Sequence, residues 1–308
     1  MNRKVWHNGS IIDEKDAKVS IYDSALMFAD LAFEMTRTFN RVSFKLHEHI
    51  ERLKMSCKVL EIPMTFTWEK IEFYHDYLLE YHKTNVPEVE EWRLLINVSR
   101  GILPLYQHML GDEGKPNVMI ACFPLSEILR GKSHLYTEGV HAIVPSQRAI
   151  PHHLLDARLK TRSRQHYQMA NLEVARQDKD AWPLLLDPDG FVAESTGSNF
   201  FIVKNGMVFA PDTPNCLSGI SAIHIIKELI DEPFKVLNMF QHLTLYDVYN
   251  ADEAFFTCTP YSIVPCTKIN GKPIGDGKIG EVTKRLTKAW IDSVQCDFVE
   301  QAKRWDRV

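Results

Sequence analysis

"LDARLKTRSRQHYQMANLEVA", residues 155–175, places one lysine, Lys160, among three arginines just before an apolar, helix-like run. After it the chain alternates strand-like and helix-like stretches: "WPLLLD", "NFFIVKNG", "SGISAIHIIKELI", "EAFFTCTP" and "GEVTKRLTKAWIDSV". This alternation is typical of a domain in which helices pack on a sheet. Because most lysines are solvated surface cations, Lys160 needs support from other residues before it counts as a reactive amine.

The first half of the chain has its own set of predicted elements. Asn8-Gly9 between apolar flanks predicts a hairpin. Apolar residues from Ile50 to Leu60 recur at helix spacing, and Pro63 closes that pattern. A second helix, "WEKIEFYHDYLLEYHK", and two strands, "WRLLINVSRG" and "NVMIACFP", follow. These elements predict a separate α/β domain.

The polar stretch "SEILRGKSHLYTEG" separates the two sets of elements. We therefore predict an α/β (α+β) protein with a smaller N-terminal domain at 1–125, a linker at 126–138 and a larger C-terminal domain at 139–308. A cleft between the domains is the expected place for a site.

The totals exclude several classes of protein. Of 308 residues, 45% are hydrophobic and 25% charged, which is ordinary for a globular protein. A formal net charge of −4 gives no reason to expect nucleic acid or an anionic membrane as a partner. Six scattered cysteines without a CxxC pair predict reduced thiols, with neither a disulfide framework nor a metal site. No signal peptide or membrane-spanning run is evident, so we expect a soluble, cytoplasmic protein.

Three further stretches support a functional interpretation of Lys160. Glu194 ends a short apolar strand, although a turn or cap role would explain it equally well. Gly219, Ile220 and Ser221 open an amphipathic helix, whose first N–H groups attract anions. Arg52 lies in a helix, where an isolated arginine usually belongs to the polar face. Each signal is weak when taken alone.

Taken in order, these motifs resemble the class IV aminotransferases, the fold-type IV pyridoxal-phosphate enzymes that include branched-chain and D-amino-acid aminotransferases. The resemblance runs through nearly the whole chain. It is carried by "FADLAFEMTRTF", "HIERLKMS", "LKTRSRQHY", "ESTGSNFF", "LSGIS", "TCTP" and "IGDGKIGEVTKRL". The ordered set is far more specific than any single motif.

The resemblance implies a role for each cofactor-site residue. Lys160 would form a Schiff base with pyridoxal 5'-phosphate and later act as the general base. This needs a neutral amine, which burial beside cations favours. Glu194 would pair with the pyridine nitrogen and make the ring an electron sink. Either Tyr167 or Arg164 would contact the ring oxygen. The phosphate would be held by Arg52, the turn at Gly219, the N–H groups of Ile220 and Ser221, the Ser221 hydroxyl and Thr259.

The sequence says less about the residues that bind the substrate than about those that bind the cofactor. Pro260 has no N–H, so a backbone donor that branched-chain enzymes use for the substrate carboxylate is absent. Arg93 and Arg37 are the candidates for a carboxylate clamp, with an edge-strand charge as the alternative for Arg93. Aromatic side chains are expected to add an apolar wall, or else to pack in the core: Phe28, Phe33, Trp92 and Tyr261.

The resulting prediction is a homodimeric aminotransferase that transfers an amino group from an amino acid to a 2-oxo acid, with the active site shared between subunits as the resemblance implies. Two alternatives within the fold stay open. One is an aminodeoxychorismate-lyase-like β-elimination, and the other is a D-amino-acid aminotransferase. An alternative from another class is a cofactor-free binding protein in which Lys160 has no chemical role.

Overall fold

The computed structural model describes residues 3–110, 114–230 and 239–307, which form two compact units. The first unit contains residues 1–128 and 159–163, and the second contains residues 129–158 and 164–308. Mixed helices and strands with one sheet in each unit confirm the α+β prediction. Among the described helices, none combines the length and the apolar character needed to cross a membrane.

The described strands of the first unit form a sheet in the order β2-β1-β6-β5-β3-β4. The predicted hairpin is present, with Asn8 and Gly9 both at positive φ (47° and 96°), as a tight turn between paired strands requires. The strand bounds are Lys4–His7 (β1), Ser10–Asp13 (β2), Leu31–Phe39 (β3), Val42–Ser43 (β4), Trp92–Ser99 (β5) and Asn117–Pro124 (β6).

Two long helices pack against this sheet and bury its core. Both were predicted from sequence, the first from the spacing of its apolar residues, and Thr67 caps the second by accepting a hydrogen bond from the Lys70 N–H. The core includes Trp6, Leu53, Ile71 and Ile96, all at most 2% exposed. The helix bounds are Ser24–Phe28 (α1), Leu46–Val59 (α2), Trp68–Asn85 (α3) and Pro104–Leu110 (α4).

A distant segment, Leu159–Ser163, completes the edge of β3. Phe33 N–H donates to the Lys160 carbonyl (2.9 Å), and Arg162 N–H donates to the Leu31 carbonyl (3.0 Å). Lys160 is therefore fixed to the first unit by main-chain hydrogen bonds, although the sequence assigned it to the C-terminal domain. The domain boundaries stay a prediction. Within the expected linker, residues 126–138, the structure forms two short helices.

The described strands of the second unit form a sheet in the order β11-β10-β9-β12-β13-β7-β8, with β14 paired to β13. The strand bounds are Val140–Ile143 (β7), Trp182–Pro183 (β8), Asn199–Lys204 (β9), Met207–Pro211 (β10), Met239–Gln241 (β11), Glu253–Cys258 (β12), Ser262–Ile269 (β13) and Lys272–Pro273 (β14). The predicted strand "WPLLLD" is shorter than expected, because beyond Pro183 it makes only isolated bridges.

The predicted helices of this half are present in the predicted order, with one change of helix geometry and with further helices that were not predicted. The helix that begins at Ile220 changes to π-helical geometry over Ile225–Leu229. The helix Leu245–Tyr249 and a last helix, capped by the Asp297 carboxylate, were not predicted. The helix bounds are Ser126–Leu129 (α5, which begins in the first unit), His134–Thr137 (α6), Gln165–Ala175 (α7), Ile220–His224 (α8), Leu245–Tyr249 (α9), Glu281–Val294 (α10) and Phe298–Trp305 (α11).

Candidate active site

A buried ion cluster lies beside Lys160 in the first unit. Arg52 grips Glu34 with two nitrogens, Nε to Oε1 at 2.5 Å and Nη2 to Oε2 at 2.9 Å. His49 Nδ1 contacts Glu34 Oε2 at 2.7 Å. Because His49 and Arg52 are three residues apart on α2, they share one helix face and both reach Glu34 on β3. This cluster fixes the guanidinium of Arg52, a residue predicted from sequence to hold the cofactor phosphate.

Burial and neighbouring charges determine which groups of this cluster are protonated. Burial raises the pKa of Glu34, but Arg52 and His49 outweigh it and hold the pKa of that carboxyl well below its ordinary range. Burial lowers the pKa of His49, with Arg52 and Lys160 adding to the effect and Glu34 opposing it. Glu34 is therefore ionised and His49 neutral at neutral pH. The influence of Lys160 on the pKa of His49 shows that the lysine lies near this cluster.

The Lys160 side chain lies over an aromatic ring. Its Nζ is 5.1 Å from the centre of the Phe33 ring, and the Arg162 guanidinium carbon is 3.8 Å from the same centre. Phe33 itself is buried, at 3% exposed. Of the three neighbouring arginines, Arg158 is exposed and pairs with Asp156. Lys160 and Arg162 therefore share the Phe33 ring, whereas Arg158 lies in solvent.

We expect Glu34→Gln to destabilise the protein by about 3–5 kcal/mol, because the buried Arg52 would lose its counter-charge. Urea unfolding measures the loss. A matched control is Glu14→Gln, which removes a partly exposed pair with Arg3 and should change the free energy of unfolding by about 0–1 kcal/mol.

The same variant gives a pH test. Since folding lowers the pKa of Glu34, its contribution to stability is present above the ordinary glutamate pKa of about 4.3 and is lost as pH falls below it. The acid-induced loss of stability should therefore be shallower in Glu34→Gln than in the wild type. Equal slopes would show that Glu34 is not ionised in the folded protein.

The second unit holds a buried carboxylate, that of Glu194, which is 5% exposed. Its Oε1 accepts a hydrogen bond from the Tyr167 hydroxyl (2.8 Å). Its Oε2 accepts from Leu217 N–H (3.1 Å) and from Asn199 Nδ2 (3.3 Å). Burial and the Glu194 carboxylate raise the pKa of Tyr167 well above its ordinary value. The structure thus brings together Glu194 and Tyr167, two of the residues predicted from sequence.

The turn before α8 packs tightly on β9. A Cβ atom at Gly219 would overlap the Asn199 side-chain oxygen, so a glycine is required for this close approach although its φ is ordinary. Asn199 also donates to the Leu217 carbonyl at 2.8 Å. Ile220 and Ser221 form the first turn of α8, where N–H groups have no intrahelical partner. Asn199 therefore links Glu194 to this turn.

β12 lies next to β9, and Thr257 is directly opposite Asn199 in the register. Directly opposite residues share a face of the sheet. The Thr257 hydroxyl oxygen is buried and has no hydrogen-bond partner in the described part of the chain. Thr259, which was predicted from sequence, follows two residues later. Sequence reasoning missed Thr257 and Asn199, although both lie within the quoted motifs "TCTP" and "ESTGSNFF".

The substrate candidates differ in accessibility. Arg37 is fully buried, donates from Nε to the Thr38 carbonyl (3.0 Å) and packs on Phe39. Arg93 is directly opposite Arg37 on β5 and only half-buried, with its guanidinium carbon 5.7 Å from the centre of the Phe123 ring. Arg93 is therefore the more accessible of the two guanidinium groups.

The aromatic candidates for the substrate site also differ in burial. Trp92 is fully buried in a core cluster, which is the packing alternative stated above, whereas Phe28 is 69% exposed. Tyr261 packs edge-on against Trp182 and accepts at its carbonyl from the Tyr136 hydroxyl (3.1 Å). Pro260 precedes it in the turn between β12 and β13 and is half-buried.

The comparisons with known proteins decide the family. The model of the class IV amino-transferases matches residues 31–269. The chain belongs to the class IV aminotransferases. Its relatives in this family include a "Putative branched-chain-amino-acid aminotransferase" of Methanocaldococcus jannaschii, 35% identical over 94% of this chain and 96% of the relative. The D-alanine aminotransferase of Bacillus licheniformis is 28% identical, over 94% of this chain and 97% of the relative.

A solved structure gives the same result for the class IV aminotransferase fold. The branched-chain aminotransferase of the thermophilic archaeon Thermoproteus uzoniensis, solved with norvaline, superposes with a TM-score of 0.81 at 26% identity, covering 99% of this chain and 98% of that one. The predictions of the fold, of the family and of an aminotransferase enzyme are confirmed. An amino acid and a 2-oxo acid are the substrates that such an enzyme uses.

The comparisons also bear on the cofactor. Another structural neighbour, a branched-chain amino acid aminotransferase with a TM-score of 0.82 and 26% identity, was solved with pyridoxamine 5'-phosphate, the amine form of the predicted cofactor. Class IV aminotransferases use pyridoxal 5'-phosphate, so the prediction of this cofactor is confirmed.

Proposed function

We propose that this protein is a pyridoxal-phosphate-dependent transaminase of apolar, branched-chain-like amino acids, and that Lys160, Glu194 and the turn at Gly219 to Ser221 bind the cofactor. The observation that carries the proposal is the buried carboxylate of Glu194, which is held by three donors in a chain whose family is shown. The names of the relatives support the substrate class.

The donor set fits a phosphorylated pyridine. Glu194 supplies an anionic acceptor for a protonated ring nitrogen. The first turn of α8 supplies N–H donors, and the buried Thr257 hydroxyl, on the face that Asn199 shares, is a further donor in need of an acceptor. Arg52 supplies a fixed positive charge. A phosphate group satisfies such donors, so the residues present suit pyridoxal 5'-phosphate.

When bound, the cofactor supplies an aldehyde and an electron-withdrawing ring. The protein residues do the remaining work. Lys160 holds the cofactor covalently through its amine and then moves a proton to and from the substrate α-carbon. Glu194 keeps a proton on the ring nitrogen. Ser221 and Thr259 are proposed to hold the phosphate with Arg52. The contact to the ring oxygen is assigned to either Tyr167 or Arg164.

The experiment that tests the proposal is a single turnover of purified holoprotein with a panel of amino acids. Conversion of the bound cofactor to its amine form marks amino transfer, whereas release of pyruvate with the aldehyde form retained marks β-elimination. The panel includes both enantiomers, since one curated relative is a D-alanine aminotransferase. Protein that neither carries nor accepts the cofactor would contradict the proposal.

Arg93 is proposed as the substrate carboxylate clamp. We expect Arg93→Ala to raise the KM for a monocarboxylic amino acid about 10-fold to 100-fold, since a charge-assisted hydrogen bond contributes about 1.5–3 kcal/mol, while the absorbance of the bound cofactor is unchanged. Steady-state kinetics measure the change, with Arg3→Ala, at a partly exposed pair with Glu14, as the control. An unchanged KM would assign the clamp to another residue.

A homodimer with shared active sites and a cytoplasmic location belong to the proposal as well. The resemblance supports the first, and six free cysteines support a reducing compartment. Phe33, Pro260 and Tyr261 are proposed to contribute to the substrate site.

A further inference from the structure

The Glu194 carboxylate must stay ionised in a buried place if it is to pair with a ring nitrogen. Burial of a lone carboxylate is costly, and hydrogen-bond donors are what stabilise its charged form. The donors are divided between its oxygens. Leu217 N–H and Asn199 Nδ2 reach Oε2, whereas the Tyr167 hydroxyl reaches Oε1 at 2.8 Å, the shortest of the three.

The hydroxyl of Tyr167 has a single hydrogen to donate. In the structure this hydrogen points to Glu194, so it is not available to a negatively charged ring oxygen at the same time. Burial, together with the charge of Glu194, raises the pKa of Tyr167, which keeps the phenol protonated and a donor at neutral pH. A carboxylate oxygen accepts two hydrogen bonds, so Oε1 can accept from Tyr167 and from a ring N–H together.

The environment of Tyr167 fixes its position. It lies in the first turn of α7, with its ring centre 4.1 Å from that of His166 and 5.1 Å from the guanidinium carbon of Arg164. Burial and Arg164 lower the pKa of His166, so this neighbour is neutral at neutral pH. The hydroxyl is thus held by packing on one side and by Glu194 on the other.

We propose that Tyr167 is a positioning residue for Glu194, whose hydroxyl orients Oε1 and weakens its affinity for the proton on the cofactor's ring nitrogen. The proposal rests on the proposed function. With the hydroxyl present, the proton stays on the nitrogen. Without it, Oε1 becomes the stronger base and draws that same proton toward the carboxylate, so the ring withdraws electrons less. The ring-oxygen contact then falls to Arg164 and not to Tyr167.

The test uses holoenzyme loaded with cofactor that carries ¹⁵N in its ring. In Tyr167→Phe the ¹⁵N resonance should move toward the unprotonated pyridine range. The rate constant of the first half-reaction should fall about 10-fold to 100-fold, as for loss of a hydrogen bond to a charged group, with KM nearly unchanged. The control is Tyr249→Phe, whose hydroxyl accepts a hydrogen bond from Asn270 Nδ2 (2.9 Å) elsewhere in the second unit.

A second variant keeps the fold and changes only the donor strength. Difluorotyrosine at position 167 is a stronger donor of similar size, and it should move the ¹⁵N resonance opposite to Tyr167→Phe. The positioning role would be overturned if the cofactor is bound and neither substitution changes its ¹⁵N resonance or the rate. A change in the pKa of the ring oxygen without a change in the ¹⁵N resonance would overturn it too. Wild-type protein without bound cofactor would instead contradict the proposed function.

Discussion

Replacement of Lys160 by alanine is expected to lower kcat/KM for amino transfer by about 10⁴-fold or more, because the variant loses the amine that we propose both holds the cofactor and moves the α-proton. The backbone of Lys160 makes the hydrogen bond to β3, so the side chain can be removed without breaking that pairing. Stopped-flow absorbance with a reactive amino acid measures the rate.

Two controls make this result specific. Lys179→Ala removes a lysine whose side chain is 89% exposed, and it should leave the rate unchanged. Borohydride treatment of the wild type should place the reduced cofactor on Lys160, as peptide mapping would show. Partial rescue of Lys160→Ala by a small primary amine supports a chemical role. Wild-type rates in the variant would remove Lys160 from the mechanism.

Glu194→Gln is expected to lower the rate of the first half-reaction by about 10²–10³-fold, the loss typical of a preorganised charge at a reacting centre. Glutamine keeps the volume but replaces one acceptor oxygen with an amide NH₂. That group would face either Tyr167 or the two donors at Oε2. The free energy of unfolding should therefore also fall, by about 1–3 kcal/mol.

Glu173→Gln is the matched control for this change. Glu173 accepts hydrogen bonds from the Ser146 N–H and hydroxyl at a partly exposed position on α7, so it undergoes the same substitution away from Glu194. Urea unfolding separates the effect on stability from the effect on rate. A variant that loses stability but keeps the wild-type rate would give Glu194 a purely structural role.

The elements with regular spacing were predictable from sequence. Periodic apolar residues predicted α2, and Asn8-Gly9 predicted the first hairpin, because both signals depend on neighbours along the chain. The π-helical turn after His224 and the early end of the predicted strand at Pro183 were not predictable, since packing against distant residues decides such local geometry.

The sequence predicts candidate site residues, but it does not predict the contacts among them. The motif that contains Arg52 also contains His49, yet their common partner Glu34 lies on another element. Either Tyr167 or Arg164 was expected to contact the ring oxygen, and the structure directs the Tyr167 hydroxyl to Glu194. A hydrogen bond between residues 27 positions apart has no signature in local sequence.

The pairing of residues 159–163 with β3 has a consequence for biosynthesis. Strand β3 leaves the ribosome more than a hundred residues before the segment that borders its edge. Domains usually fold in the order of translation, and contacts distant in sequence form slowly. Here the first unit keeps an open sheet edge until Lys160 has been synthesised, so the residue that we propose as the reactive amine is among the last to complete the unit that carries it.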